Sequence, residues 1–441
     1  MEKYFHSVRL DKDKCRGCTN CIKRCPTQAI RVREGRAHII KERCIDCGEC
    51  IRVCPHHAKY ASSDSLDMIN EYKYKIALPA PALYGQFHNL DDINIILNAF
   101  SSLGFDAVFE VSKAAELISE ATRRFLSKPG IKKPLISSAC PAVVRLITVC
   151  FPELIDNIFT INAPVEEAGR LAREKAAKKT GLNPEEIGVF FITPCPAKIT
   201  SFKNPIGVNK SNIDGAIAIN EIYPSLLKAM EKLDTTDGLK ALHESGVIGI
   251  SWATSGGEAA GTLDDDALFV DGIENCMKIL EEVDRGNLDN VKFIELNACQ
   301  GGCVGGSLTA ENPFIAKTRI TKLRKYNPVA VNHLSNDDAQ DNLFCPLPIE
   351  PCDDVMKLAD NVGEAMERMA RMKALLKTFP GLDCGICGAP SCKALAEDVV
   401  RGYGNENDCV FRTRETIENI DIDSTEQLQQ FIPAPFRKKE D

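Results

Sequence analysis

Two cysteine runs share one spacing, C-x2-C-x2-C-x3-C-P, near the start of the chain. They are Cys15, Cys18, Cys21 and Cys25 before Pro26, then Cys44, Cys47, Cys50 and Cys54 before Pro55. Three thiolates in one tight turn wrap three corners of an iron–sulfur cubane, and the fourth crosses to the neighbouring cluster. The expected ligand sets are therefore Cys15, Cys18, Cys21 and Cys54 for one 4Fe–4S cluster, and Cys44, Cys47, Cys50 and Cys25 for the other. Pairs of the C-x2-C type also bind zinc. Eight cysteines in a doubled pattern, each run closing in Cys-Pro, point to iron–sulfur instead. Such a module moves electrons one at a time and is a relay rather than an endpoint.

Over residues 1–60 this pattern resembles bacterial two-cluster ferredoxins, with no ligand missing. The whole chain has 20 cysteines in 441 residues. A disulfide scaffold would be short and secreted. The N-terminus MEKYFHSVRLDKDKC has no apolar signal core, so the cysteines point to metal sites in a reducing, cytoplasmic compartment. Sixteen fall into cluster-like spacings; Cys150, Cys276, Cys345 and Cys352 read as buried or incidental thiols. Cys345 and Cys352 do bracket a Pro-rich loop, CPLPIEPC, that could ligate something. A net charge of −8 argues against a nucleic-acid partner. No apolar run is long enough for a membrane span.

The length implies about two to four domains. Residues 61–74 read as a polar linker. From about 75 to 310, strand-like runs (KIALPA, PLISSA, IGVFFIT, GVIGISW, FIEL) alternate with amphipathic stretches at Ala114–Leu126, Glu166–Lys179 and Asn220–Leu233. That alternation predicts an α/β domain. Residues 311–350 read as a connecting segment, 352–377 as one long helix, and 378–410 as a second cysteine-rich module. The expected domains are 1–60, 75–350, 351–412 and a tail at 413–441, in a multidomain α+β and α/β chain with a two-lobed central domain.

Three motifs sit at strand ends in the central region: SSACPAVV (Ser137–Val144), ITPCPAK (Ile192–Lys198) and ELNACQGGCVGG (Glu295–Gly306). Cys140 and Cys195 each follow an apolar run and precede a proline, the start of a helix or turn where free amides favour an anionic cluster. Cys299 and Cys303 lie in a glycine-rich loop that lets backbone approach bulky inorganic atoms. Four cysteines from three loops make a plausible 4Fe–4S site.

In this order the motifs resemble the active-site signature of FeFe-hydrogenases. The resemblance implies that Cys140, Cys195, Cys299 and Cys303 hold a 4Fe–4S cluster. It implies that Cys303 also bridges to a di-iron subsite carrying CO, cyanide and a dithiolate. Lys198 matches a cyanide contact, Ala80 and Pro81 a backbone segment facing the other cyanide, and Trp252 a bulky aromatic beside the cofactor. Ser138 and Ala139 fall next to the subsite.

The family's first motif has two adjacent cysteines, and Ala139 replaces the one that passes protons. Glu120 matches the next carboxylate of that route, but Arg123 and Phe159 replace later polar members. Thr193, Ser201 and Asn297 are further departures, and Ser307 and Leu308 follow Gly306 where the family has Gln and Pro. These losses resemble the divergent, sensory type of FeFe-hydrogenase, with low activity expected. Glu258 and Glu295 lie next to the motif loops and are candidates for a substitute proton path. Nar-type cluster-assembly proteins, with the same fold and no di-iron subsite, are the alternative. A signalling or electron-transfer subunit with vestigial H2 chemistry is a third.

Cys384, Cys387, Cys392 and Cys409 form C-G-x-C-G-x-P-x-C…D-C. This resembles a small 4Fe–4S domain found in corrinoid iron–sulfur proteins and Rnf-type electron-transport subunits, with zinc as the alternative. Its helix is expected at Lys393–Gly402. The full cofactor set is then four 4Fe–4S clusters and the di-iron subsite. The implied partners are H2, protons, and a redox carrier such as ferredoxin or a separate signalling protein; a homo-oligomer is compatible.

Overall fold

The computed structural model describes residues 5–233, 238–335, 340–352 and 357–418. The chain divides into two compact units, Met1–Ala61 with Pro351–Asp441, and Ser62–Glu350.

The alternation of apolar runs and helical stretches in the larger unit builds two four-stranded sheets. One has the order Gly215–Ala218, Ile187–Thr193, Tyr74–Pro79, Ala107–Val108. The other runs Ala267–Asp271, Phe293–Asn297, Leu135–Ser137, Ile158–Phe159. Every pairing in both is parallel. Parallel neighbours need long crossovers, and the helices Val111–Leu126, Pro164–Thr180 and Ile219–Glu231 lie between strands. All seven residues of Ile187–Thr193 are buried, as a continuous apolar run in a covered parallel sheet requires. Four strands run into the motif loops at their carboxyl ends: Pro79 into Ala80, Ser137 into Ser138, Thr193 into Pro194, and Asn297 into Ala298. Open parallel sheets bind ligands at that end.

Several expectations are corrected. The run GVIGISW forms the helix Val247–Ser251 rather than a strand. A short apolar run is ambiguous between a buried helix and a strand, and packing decides here. A Cβ on Gly249 would lie 2.2 Å from Ser112 O, so the glycine lets this helix press against Val111–Leu126. The segment 311–350 contains the helix Pro313–Leu323, capped by the Asn312 side chain. The expected linker at 61–74 holds the 3-10 turn Leu66–Glu71, which buries Ile69. The long helix expected over 352–377 begins only at Val362 and ends at Thr378, started by the Asn361 cap; residues 353–356 lie outside the described residues. The helix expected at Lys393–Gly402 spans Cys392–Val400. The helix Val410–Glu418 covers the first residues of the expected tail, whose remainder lies outside the described residues.

In the smaller unit, Val8–Leu10 pairs antiparallel with Lys59–Ala61, and Ile30–Arg33 with Arg36–Ile39. The two cysteine modules, far apart in sequence, fold against each other. Arg31 Nε and Arg33 Nη2 both donate to Asp398 Oδ2 at 2.7 Å. Val32 N donates to Gly388 O at 2.8 Å, and Arg33 Nη1 to Cys387 O at 3.1 Å. No described helix is long and apolar enough to cross a membrane.

Candidate metal centres and active site

Cys140 is the N-cap of the helix Pro141–Cys150, and Cys195 of Pro196–Lys203. Both helices have proline at the first turn, where its missing N–H costs nothing. Cys303 opens the turn Cys303–Gly305 after Gly302, whose φ is 89°. A Cβ on Gly302 would lie 2.3 Å from Ser255 N, so glycine alone lets this loop press on the segment before Gly256.

The four thiols share one electrostatic environment. Burial pushes Cys303 up to about 11; Lys198 pulls it down, while Cys140, Glu295 and Glu258 raise it further. Burial also drives Cys195 well above the usual thiol range, with Cys299 and Cys140 adding to the rise. Thiols crowded this way are poor company as free groups and well suited to iron, which displaces their protons.

Lys198 Nζ donates to Ala139 O at 3.1 Å and ties the second motif to the first. Lys198, Ser138, Ala139 and Ser201 line a cavity of about 80 Å³, together with Glu166 and Cys345. Glu166 accepts from Ser211 Oγ at 2.7 Å and Asn212 N at 2.8 Å. Burial pushes its carboxyl up, against the pull of Asn212, Ser211 and Lys198. Ala80 is buried and its N–H meets Ile192 O at 3.3 Å, with Pro81 opening the turn Pro81–Gln86. Neither is among the described residues lining the Lys198 cavity.

Glu258 and Glu295 are both buried, 6% and 3% exposed. Ser137 Oγ lies 2.8 and 2.7 Å from the two carboxylate oxygens of Glu258 and accepts from Ala139 N at 3.1 Å. Glu295 accepts from Gly256 N at 3.0 Å and Ala259 N at 2.7 Å, on either side of Glu258, and from Asn297 Nδ2 at 2.5 Å. Burial and then the Glu295 charge push Glu258 up to about 8.

The ferredoxin-like cysteines face two cavities. Cys15, Cys18, Cys21 and Cys54 line one. Cys25, Cys44, Cys47 and Cys50 line the other. At the C-terminal module, burial pushes Cys387 up to about 11; the Ala389 hydrogen bond and Arg33 oppose this, while Cys384 and Cys409 add to it. Cys392 opens the helix Cys392–Val400, its N–H donating to Asp383 Oδ1 at 2.6 Å.

Residues 73–264 and 258–307, more than half of the chain, match the family described as iron only hydrogenase large subunit, C-terminal domain. The chain belongs to this iron-only hydrogenase family. Residues 7–55 match a 4Fe-4S dicluster domain and 379–411 an Fe-S cluster family. The periplasmic [Fe] hydrogenase large subunit of Nitratidesulfovibrio vulgaris is 27% identical over 68% of this chain and 86% of its own length. Iron hydrogenase 1 of Clostridium pasteurianum is 25% identical over 61% of this chain and 56% of its own length. The chain thus spans little more than half of that relative. A variant of the [FeFe]-hydrogenase HydA1 from Chlamydomonas reinhardtii aligns at 17% identity over 63% of this chain and 91% of its own, with a TM-score of 0.47.

The other predicted site residues of this family member have partners of their own. Trp252 donates its indole N–H to Ser119 Oγ at 2.9 Å and packs beside a core cluster that includes Ile118 and Phe159. It is not among the described residues lining the Lys198 cavity. Glu120 carboxylate oxygens meet Arg124 and His333 rather than the motif loops. Arg123 Nη1 donates to Gly261 O at 2.5 Å. Phe159 is 3% exposed between the rings of Phe125 and Phe344, so that position offers no polar group. The sequence alone did not mark Ser137 or Glu166 as site residues, and it marked Cys345 only as bracketing a loop that could ligate something. Ser137 is the last residue of its strand, two before Ala139, a signal that was legible. Cys345 reaches the cavity from some 200 residues downstream of the first motif, and nothing local places it there.

Proposed function

We propose that this chain is an FeFe-hydrogenase of the divergent, sensory type, acting in the cytoplasm. It interconverts H2 with two protons and two electrons, slowly, and relays the electrons through 4Fe–4S clusters to a redox carrier such as ferredoxin or to a separate signalling protein. In this reading Cys140, Cys195, Cys299 and Cys303 hold one cluster, the two ferredoxin-like sets hold two, and Cys384, Cys387, Cys392 and Cys409 hold a fourth. Cys303 would also hold a di-iron subsite carrying CO, cyanide and a dithiolate, which would supply H2 cleavage and electron exchange. Lys198 and the Ala80–Pro81 backbone would orient it.

The observation that carries the reading is the buried Ser137–Glu258–Glu295 array beside Ala139. Ala139 has no proton to give. Glu258, raised to about 8, holds a proton at neutral pH and is matched to proton transfer there. Ser137 Oγ connects that carboxyl to the first motif loop. A hydroxyl is a weaker acid than the thiol it stands in for, which accounts for slow turnover.

A second reading has its own support. Asn297 is engaged with Glu295, and Thr193 Oγ1 with Cys195 N at 3.1 Å. Those side chains serve structure, as a Nar-type protein without the di-iron subsite would need. Infrared spectra after loading reconstituted protein with a synthetic di-iron precursor separate the two. Sharp CO and CN bands that shift under H2 support the hydrogenase; absent bands with all iron–sulfur clusters intact support the assembly or electron-transfer protein.

A further inference from the structure

Lys59 is 3% exposed, and its Nζ has no hydrogen-bond partner among the described residues. The pairing of Lys59–Ala61 with Val8–Leu10 sets it in the wall of the cavity lined by Cys15, Cys18, Cys21 and Cys54. A desolvated ammonium with no acceptor is strongly unfavourable unless an anion faces it. The thiol positions around it supply that anion once they are thiolates on iron. Burial pushes Cys21 up to about 11 and Cys50 up to about 12, and in both the Lys59 charge is the chief opposing influence.

The other cavity has a buried acid in its wall, while Lys59 acts on it only through Cys50 and Cys25. Asp46 is 1% exposed in the wall shared with Cys25, Cys44, Cys47 and Cys50. Its carboxylate accepts from Val8 N at 3.0 Å and lies 2.7 Å from His6 Nδ1. Val32 lines the Lys59 cavity, and its N–H is bonded to Gly388 O, between Cys387 and Cys392. The wall of the Lys59 cavity is thus joined directly to the C-terminal module, which also reaches Gln28 and Arg43 beside the other cavity.

We propose that Lys59 sets the order of reduction in the ferredoxin-like module: its charge makes the cluster of Cys15, Cys18, Cys21 and Cys54 the easier to reduce. An electron entering the module then rests at the cluster whose cavity wall Val32 ties to Gly388. The proposal rests on the iron–sulfur reading of these two cavities. Adding one electron to a cubane adds one negative charge, and a buried cation stabilises it where the dielectric is low. The Asp46 carboxylate opposes the same step at the other cluster.

The test is an anaerobic redox titration of the full reconstituted chain followed by electron paramagnetic resonance. Iron and sulfide content, measured first, decides the iron–sulfur reading separately. With the clusters present, Lys59→Met shifts the first cluster's reduced-to-oxidised ratio at fixed potential at least tenfold towards oxidised, about 59 mV for a one-electron couple. The second cluster shifts less, and Lys59→Arg stays near wild type. An unchanged midpoint in an iron-replete Lys59→Met protein overturns the proposal. If that variant loses a cluster, the wild-type order decides, with Cys18→Ser and Cys47→Ser assigning the two signals. Reduction of the Cys47 cluster first overturns the proposal; reduction of the Cys18 cluster first supports it.

Discussion

Ser137 Oγ contacts both carboxylate oxygens of Glu258, at 2.8 and 2.7 Å, in a buried setting. The two residues come from different elements, a strand end and the helix Gly257–Gly261. Their contact puts a proton-holding group one hydroxyl away from the loop of Ala139 and Cys140. Glu258→Gln is expected to lower H2 turnover by about 10²–10⁴-fold while the infrared bands of the loaded subsite persist. Ser137→Ala lowers it too. Full activity in both Glu258→Gln and Glu295→Gln would falsify the proton path.

The same carboxyl sets a pH signature in stability. Its folded value of about 8 lies above an unfolded value near 4.3. The folded chain therefore binds more protons between the two, and the stability this group contributes, full below about 4.3, is lost as pH rises through about 8. Glu258→Gln removes the burden of charging a buried group. Its thermal midpoint should exceed wild type at pH 8 and converge with it near pH 4. A constant difference across that range contradicts the assignment.

Asp398 holds two guanidinium groups at once, Arg31 and Arg33, with Arg31 and Asp398 side chains each 7% exposed. Removing one partner of a buried pair leaves uncompensated charge, at a cost of roughly 3–5 kcal/mol. Asp398→Ala is expected to loosen residues 357–418 from the ferredoxin-like strands, seen as faster limited proteolysis there. Arg33→Lys should cost less, because Arg33 is the more exposed partner.

Iron content discriminates ligands from bystanders. Cys276 is fully buried with its thiol 3.3 Å from Asn297 O; it neighbours Cys140 and Cys299 but belongs to none of the four-cysteine motifs. Cys276→Ala should leave iron per chain unchanged. Cys387→Ser or Cys54→Ser should each lower it by about one cubane, measured by iron assay on reconstituted protein. Loss of iron in Cys276→Ala would remove the distinction.

The grouping of the ferredoxin-like cysteines around two cavities was legible because three cysteines in one turn share one local spacing, whatever surrounds them. The parallel sheets were legible for a similar reason, as in the unbroken apolar run Ile187–Thr193. Local pattern misled at Val247–Ser251, where the β-branched run is a helix pressed on Ser112. It was silent at Pro313–Leu323.

By itself the sequence determined which thiols can act together within each loop, which runs become buried parallel strands, and which family position Ala139 has lost. Tertiary structure alone decided which groups surround that position and the cysteine sets. It brought Ser137 to Glu258 across 121 residues, closed Phe159 between Phe125 and Phe344, joined Asp398 to Arg31, and left Lys59 beside the Cys15 cavity without a hydrogen-bond partner among the described residues. Such relationships depend on the packing of distant elements, and burial then sets the charges and proton affinities that spacing along the chain cannot encode.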